Sequence, residues 1–276
     1  MPLTTSLLAT SLLLGAPATE APATAVAAPA AAATTLKGPA DYTLLASARG
    51  WYVAPGGDVT FAGASSVKTD LGYFNADNPK IRPAGEVRIA AGDFLLALGG
   101  ANATAEGTIN ATDSRQIGTI NVAQGDALSA NLDYTTVQAI VGYKVYENAF
   151  NSGGSTLLRL YAVGGGRFSD TSFDVTRLAG GKASIEVTTG EPIIGALAEL
   201  TLTEQFHMDL QVTGGGFTKS QSFDVAAIFG YTPVPWLSLE VGYRLLANNI
   251  KQDTATGETK INASYAGLLF GATFRF

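Results

Sequence analysis

The chain contains no cysteine, which excludes a disulfide framework, a thiol nucleophile and a zinc–thiolate site. Charge is scarce too. Charged residues make up 14% of the 276 positions, against about 25% in soluble domains. Lys and Arg number 17 against 23 Asp and Glu, a net charge of −6, which argues against nucleic acid as a partner because phosphate binding needs a basic face. Beyond the N-terminus no stretch holds the roughly 18 uninterrupted apolar residues of a helical membrane span. Histidine occurs once, at His207.

What is abundant is glycine, at 32 residues, within a chain that is 46% hydrophobic. Low charge with much Gly, Ala, Thr and aromatic fits a sheet that faces lipid on one side and a crowded lumen on the other. The last stretch, Lys260 to Phe276 (KINASYAGLLFGATFRF), makes the case locally. Counted back in twos from Phe276, the residues Phe274, Ala272, Phe270, Leu268 and Ala266 are all apolar. The other register, Arg275, Thr273, Gly271, Leu269, Gly267 and Tyr265, is small, polar or charged except at Leu269. Period two with one greasy face predicts a strand. An exposed hydrophobic edge invites aggregation, and closing this strand onto the first one removes that edge.

The same pattern recurs upstream, beginning at Gly50 to Phe61. Arg82 to Ala91 alternates Val87, Ile89 and Ala91 outward with Glu86, Arg88 and Ala90 inward. Strands follow from Phe94 toward Ile109, Leu128 to Tyr146, Thr156 to Ser169, Glu186 to Leu202, His207 to Phe217, Val225 to Tyr231 and Leu237 to Leu245. Short turns are expected near Gly92, Asn148, Thr203 and Pro233. Longer polar loops are expected near Asn75, Asp113, Gly180 and Asp253, with a brief one at Lys219 to Ser222. The expectation is an all-β, antiparallel up-and-down transmembrane barrel of about ten strands, with eight or twelve as alternatives. Ala/Thr/Gly richness also permits a secreted soluble β-sandwich.

At the N-terminus, the short apolar core Leu7 to Gly15 is followed by Ala16, Pro17 and Ala18, a small-x-small pattern of the secretory signal type. No Lys or Arg precedes that core. Residues 1–28 are expected to form a signal segment, 29–41 a low-complexity Ala/Pro/Thr segment, and 42–276 the barrel.

The motifs FGATFRF (Phe270 to Phe276), YTPVPWLSLEVGYR (Tyr231 to Arg244) and GWYV (Gly50 to Val53) make the chain look like a small bacterial outer-membrane β-barrel, similar to the OmpA-like and porin-like β-barrel families. That resemblance implies export to the outer membrane, contact with its lipid and lipopolysaccharide, and handling by the barrel-assembly machinery. It further implies that Phe276, with Phe274, serves as the assembly signal. It implies no cofactor.

Inward charges are the informative set. Glu86, Glu199, Asp209 and Glu240 oppose Arg88, Lys144, Arg159, Arg244 and Arg275, and this near-balance suggests ion pairs that plug the lumen. Trp51, Tyr52, Tyr231 and Trp236 are expected at the membrane interface. His207 and Asp209 share a face, which could suggest acid–base work. They follow a short turn at the presumed periplasmic end, however, and no Ser sits beside them, so a lumen or turn histidine is expected instead. The triplets Gly164–Gly166 and Gly214–Gly216 precede no helix and read as strand rather than phosphate cradle. The expectation is a non-enzymatic barrel with a mostly plugged lumen and a structural or surface-interaction role. A narrow porin-like channel for small polar solutes is the alternative, and a lipid-modifying enzyme a distant one.

Overall fold

The computed structural model describes residues 44–62, 67–150, 156–254 and 257–276. The expected signal and low-complexity segments lie outside them. In chain order the strands are β1 (Leu44–Thr60), β2 (Lys68–Asp70), β3 (Lys80–Ala91), β4 (Phe94–Asn110), β5 (Arg115–Ile117) and β6 (Ile120–Val122). They continue as β7 (Ala127–Phe150), β8 (Thr156–Arg177), β9 (Lys182–Thr201), β10 (Phe206–Phe217), β11 (Ser220–Val234), β12 (Leu237–Thr254) and β13 (Gly257–Arg275). Eleven strands share one sheet, of which β2 is a short margin on β1; the other ten close into an antiparallel barrel through β1 and β13. Strands β5 and β6 form a separate hairpin. This is the up-and-down barrel that the period-two pattern predicts.

The closure is register-locked from Leu45 opposite Arg275 to Thr60 opposite Lys260. At its end Leu44 and Phe276 exchange backbone hydrogen bonds of 3.3 and 2.9 Å, and we call this the near end. Glycine is needed along the seam for close approach. A Cβ at Gly267 would collide with the carbonyl of Tyr52 and stand 2.8 Å from Cα of Val53.

Alternation sorts the wall into two bands. Around the near half, outward residues are apolar: Val87 and Ile89 on β3, Leu96 and Leu98 on β4, Val137, Val141 and Tyr143 on β7, Leu239, Val241 and Tyr243 on β12, and Leu268, Phe270 and Phe274 on β13 are all exposed. On β12 this face runs from Leu237 to about Ala247. About ten steps of ~3.3 Å, tilted by ~40°, span ~25 Å, the height of a lipid-facing band. Ring pairs collect toward the near end: Trp236 with Phe274 at 6.3 Å, Phe206 with Tyr231 at 5.1 Å, and Phe94 with Tyr143 at 5.3 Å.

Farther out the polarity inverts. On β7 the outward residues become Ser129, Asn131, Asp133 and Thr135, while Leu128, Ala130, Leu132 and Tyr134 turn inward and are buried. On β8 the outward run is Asp170, Ser172 and Asp174, with Phe173 and Val175 buried inside. Strand pairing thus continues well past the apolar band, where water lies outside and a hydrophobic core lies inside.

Two connections were expected as polar outer loops and instead fill that core. The β1–β3 connection contributes Leu71 and Phe74, and the β4–β7 connection contributes Ile117, Ile120 and Val122, all buried against Val59, Phe61 and Phe173. The reason is that each loop carries apolar residues amid its turn formers, and burying them is worth roughly 1.5–3 kcal/mol apiece. Phe173 meets Phe61 at 6.0 Å and Phe74 at 5.7 Å. The two loops also clasp each other, because the Tyr73 hydroxyl donates to Asp113 at 3.3 Å while the Arg115 guanidinium lies 4.1 Å above the Tyr73 ring.

The expected loops at Gly180 and Asp253 prove different as well. Gly180 lies in the tight turn between β8 and β9, and Asp253 is still in β12, because both hairpins carry their pairing outward. Each glycine triplet lies within a strand, in β8 and β10 respectively.

The seam yields a testable expectation. Gly267→Val should destabilise the barrel by about 1–3 kcal/mol by forcing β1 and β13 apart, read as a lower urea midpoint in detergent micelles. An unchanged midpoint would show that the seam tolerates a side chain there.

Candidate functional site: the lumen

Inward positions in the near half carry charge, and the backbone register decides which charges meet. Arg88 on β3 is buried. It donates to Glu86 two residues away at 2.9 Å and reaches across the lumen to Glu199 on β9 at 3.0 Å and Asp209 on β10 at 3.4 Å. One guanidinium therefore ties three wall segments together, as its planar fork of five donors allows. Nearby, Arg49 on β1 pairs with Glu240 on β12 at 2.7 Å, and Thr273 donates to the same carboxylate at 2.5 Å. His207 is buried on top of Gly230, where a Cβ would collide with the imidazole. Its Nδ1 lies 3.1 Å from Nη2 of Arg275. At the rim, Lys144 contacts Asp93 at 3.1 Å and Glu147 at 2.8 Å, and Arg159 shares Glu147 at 3.0 Å.

A second ionic tier lies deeper. Arg167 on β8, 1% exposed, donates to Asp224 at 2.9 Å, Gln138 at 3.0 Å, Thr213 at 3.1 Å and Ser222 at 2.6 Å. Ser220 and Ser222 both donate to Glu191. Arg244 takes Asp224 at 2.7 Å and lies 5.3 Å from the ring of Trp51.

Of the nine charges expected inside, Glu86, Arg88, Glu199 and Asp209 form one cluster, and Glu240 and Arg244 belong to two others. Lys144 and Arg159 share a rim carboxylate, and Arg275 faces the histidine. Of the charges in these clusters, Arg49, Arg167, Glu191 and Asp224 escaped the sequence reading. Parity was the available signal. Arg167 is in phase with Arg159, and Glu191 with Glu199, once β8 and β9 are continued past the glycines and Pro192.

Arg49 lies just before Gly50, where the sequence pattern was expected to begin, and two residues before Trp51. That tryptophan was expected at the membrane interface, yet it is fully buried inside the barrel, since β1 turns its odd-numbered residues inward up to Val59. Tyr52, its neighbour, is exposed on the lipid face, as are Tyr231 and Trp236. The parity of β7 shifts before Tyr146. A bulge between Lys144 and Tyr146 adds one residue to β7 and turns Tyr146 outward, opposite Leu160.

Little space remains. A cavity of about 50 Å³ lies between the tiers, lined by Arg49, Arg88, Gln138, Asp209, Asp224 and Arg244 among others. Another of about 10 Å³ lies toward the near end beside His207, Glu240 and Arg275. Arg49, Glu86, Arg88 and Asp209 line both and lie between them. Volumes of this size hold a few waters. Buried polar atoms such as Arg88 Nε and Asp209 Oδ1, which have no hydrogen-bond partner among the described residues, are suited to bind them. Above the tiers, Tyr134 stacks on Tyr265 at 4.4 Å, and the apolar plug begins.

Removing one member of such a buried cluster strands the others. Arg88→Met should cost about 3–5 kcal/mol in urea titrations of the folded barrel, because three carboxylates lose their shared cation. Arg88→Lys should recover part of that loss. Equal stability of wild type and Arg88→Met would show the pairs to be energetically idle.

No protein-family profile and no curated protein matches this chain. Solved structures do. The outer membrane protease OmpT of Escherichia coli matches with a TM-score of 0.51 at 11% identity, over 89% of this chain and 100% of that one. Ail, the attachment invasion locus protein of Yersinia pestis, matches with a TM-score of 0.34 at 12% identity, over 84% and 99%. The outer membrane protein AlkL matches with a TM-score of 0.36 at 16% identity, over 91% and 95%. With ten strands closed end to end and an apolar outer band, this chain has the fold of the small bacterial outer-membrane β-barrels.

Proposed function

We propose that the protein is a sealed, non-enzymatic barrel of the bacterial outer membrane, with a structural and surface-interaction role. The observation that carries this reading is the double closure of the lumen. Toward the near end, ion-pair tiers fill the section. Above them, a hydrophobic core including two folded-in loops fills the rest. A hydrated ion crossing this path would have to break buried ion pairs and then enter an apolar plug, and each step is costly. The near end, with its mostly short turns, faces the periplasm, and the extended hairpins face outward. Their outer surface, with Asp133, Asp170, Asp174 and Glu186, is polar and stiffened by continuous pairing, which suits contact with other envelope or surface components.

A narrow channel is the competing reading, favoured only by the two small cavities on either side of the Arg88 cluster. Catalysis has less support. His207, the single histidine, is buried at the near end against Arg275. The wall's partners in this reading are lipid, lipopolysaccharide and the barrel-assembly machinery, which would read the terminal Phe276, 67% exposed.

Two measurements check the reading. In planar bilayers the purified barrel should give no steady single-channel openings, whereas regular openings by the wild-type protein would replace the sealed barrel with the channel. Deleting Phe276 should lower outer-membrane yield severalfold while leaving the fold of refolded protein intact, judged by heat-modifiable gel mobility. Normal yield would remove Phe276 from assembly.

A further inference from the structure

Above the apolar band, one sector of the outer wall departs from its surroundings. A single register row crosses five strands there: Asp58 on β1 stands opposite Asn262 on β13, Asn262 opposite Asn249 on β12, Asn249 opposite Gln221 on β11, and Gln221 opposite Gly216 on β10. The row below it is Gly56, Ser264, Ala247, Phe223 and Gly214, by the same pairings. Small residues there leave an open groove of about 670 Å³ whose lining includes Asp58, Gln221, Phe223, Asn249, Asn262 and Ser264. The carboxylate of Asp58 is set in place by Asn262, which donates at 2.9 Å, and by Lys68 at 3.1 Å.

Immediately above the amide row comes a basic one. Thr60 pairs with Lys260, Lys260 with Lys251, and the backbone of Lys251 bonds to Lys219. Lys219 is offset by Asp253 at 3.3 Å and Lys260 by Glu258 at 3.3 Å, while Lys251 makes no ion pair among the described residues. Below the groove lie Leu245, Val225 and Ala266, where the lipid-facing band begins.

From outside inward the sector therefore offers ammonium groups, then amide donors and acceptors beside an exposed Phe223 ring, then an apolar wall. Amides pair with vicinal hydroxyls, an aromatic ring face packs on the C–H face of a sugar, lysines take a phosphate as point charges, and the apolar wall takes acyl chains. We infer that this groove binds the phosphorylated saccharide head of an outer-leaflet glycolipid, with its acyl chains continuing down the β11–β13 wall. The inference rests on the outer-membrane location proposed above and commits to a membrane-anchored ligand, because the groove is continuous with the lipid-facing band.

The experiment uses the full-length barrel in detergent, with purified deep-rough lipopolysaccharide as probe and native mass spectrometry as readout. The double variant Asn249→Leu/Lys251→Glu should bind at least about tenfold more weakly than wild type. Ser184→Leu/Lys182→Glu, on the outer face of β9 and away from the groove, should bind as wild type does. Heat-modifiable mobility confirms that each variant is folded; if the double variant fails to fold, Gln221→Leu takes its place and should weaken binding in the same direction. Equal loss in the β9 control, or equal retention of phosphatidylglycerol, overturns the groove in favour of nonspecific charge. Binding of the free core oligosaccharide as tight as that of the intact glycolipid overturns the membrane-anchored ligand. Unchanged binding by the groove variants, in a barrel that still fractionates with the outer membrane, overturns the groove and leaves the location standing.

Discussion

Everything in this molecule follows from the closure of β13 onto β1. Once Leu45 to Thr60 pairs with Lys260 to Arg275, the sheet has no free edge, and every residue on the ten-stranded wall is either inside or outside. A ring of that size leaves an interior only moderately wider than side chains can fill. Inward charges are then forced into mutual contact, because water cannot solvate them separately and an unpaired buried charge is expensive. The clusters around Arg88 and Arg167 are the consequence. The same narrowness lets one arginine touch three different strands.

Closure by itself does not say which face is greasy; the solvent outside does. In the near half the outside is apolar and the inside polar. In the far half the two exchange, on the same strands and without a break in pairing. β7 shows the exchange within two residues: Thr135 is an outward polar group and Val137 an outward apolar one. The molecule is thus two barrels in series, a membrane barrel stabilised by ion pairs inside and a water-exposed barrel stabilised by a conventional hydrophobic core. The second supplies the folding driving force that the first cannot draw from its polar lumen.

This division also explains what could be read from the sequence. The near half was legible because its alternation is simple: apolar out, polar in, as at Val87 to Ala91 or Leu237 to Arg244. The strand count and several cluster members, Arg88, Glu199, Asp209 and Glu240 among them, follow from that alternation alone. The far half was not legible as a core because its polarity runs the other way. Leu128, Leu132 and Phe173 carry no local mark that says inside. Likewise, Leu71, Phe74, Ile117 and Ile120 sit among turn formers, and only the three-dimensional space beneath them gives them a destination. Trp51 shows the residual ambiguity: an aromatic at the start of a strand fits a membrane interface or a lumen, and only parity against Arg49 and Val53 distinguishes them.

Under the sealed-barrel reading proposed above, the question of function moves to the outer surface. The lumen is committed to holding the wall together, since each charged group in its two tiers has partners whose loss would strand the others. What is free to vary is the wall itself, where the side chains above the lipid band face the water outside. Around β10 to β13 and β1, that wall is built from small residues and neutral amides under a basic row. Around β8 and β9 it carries Asp170, Asp174, Lys182 and Glu186. The two sectors therefore present different chemistry at one height, an asymmetry that ring closure alone would not produce.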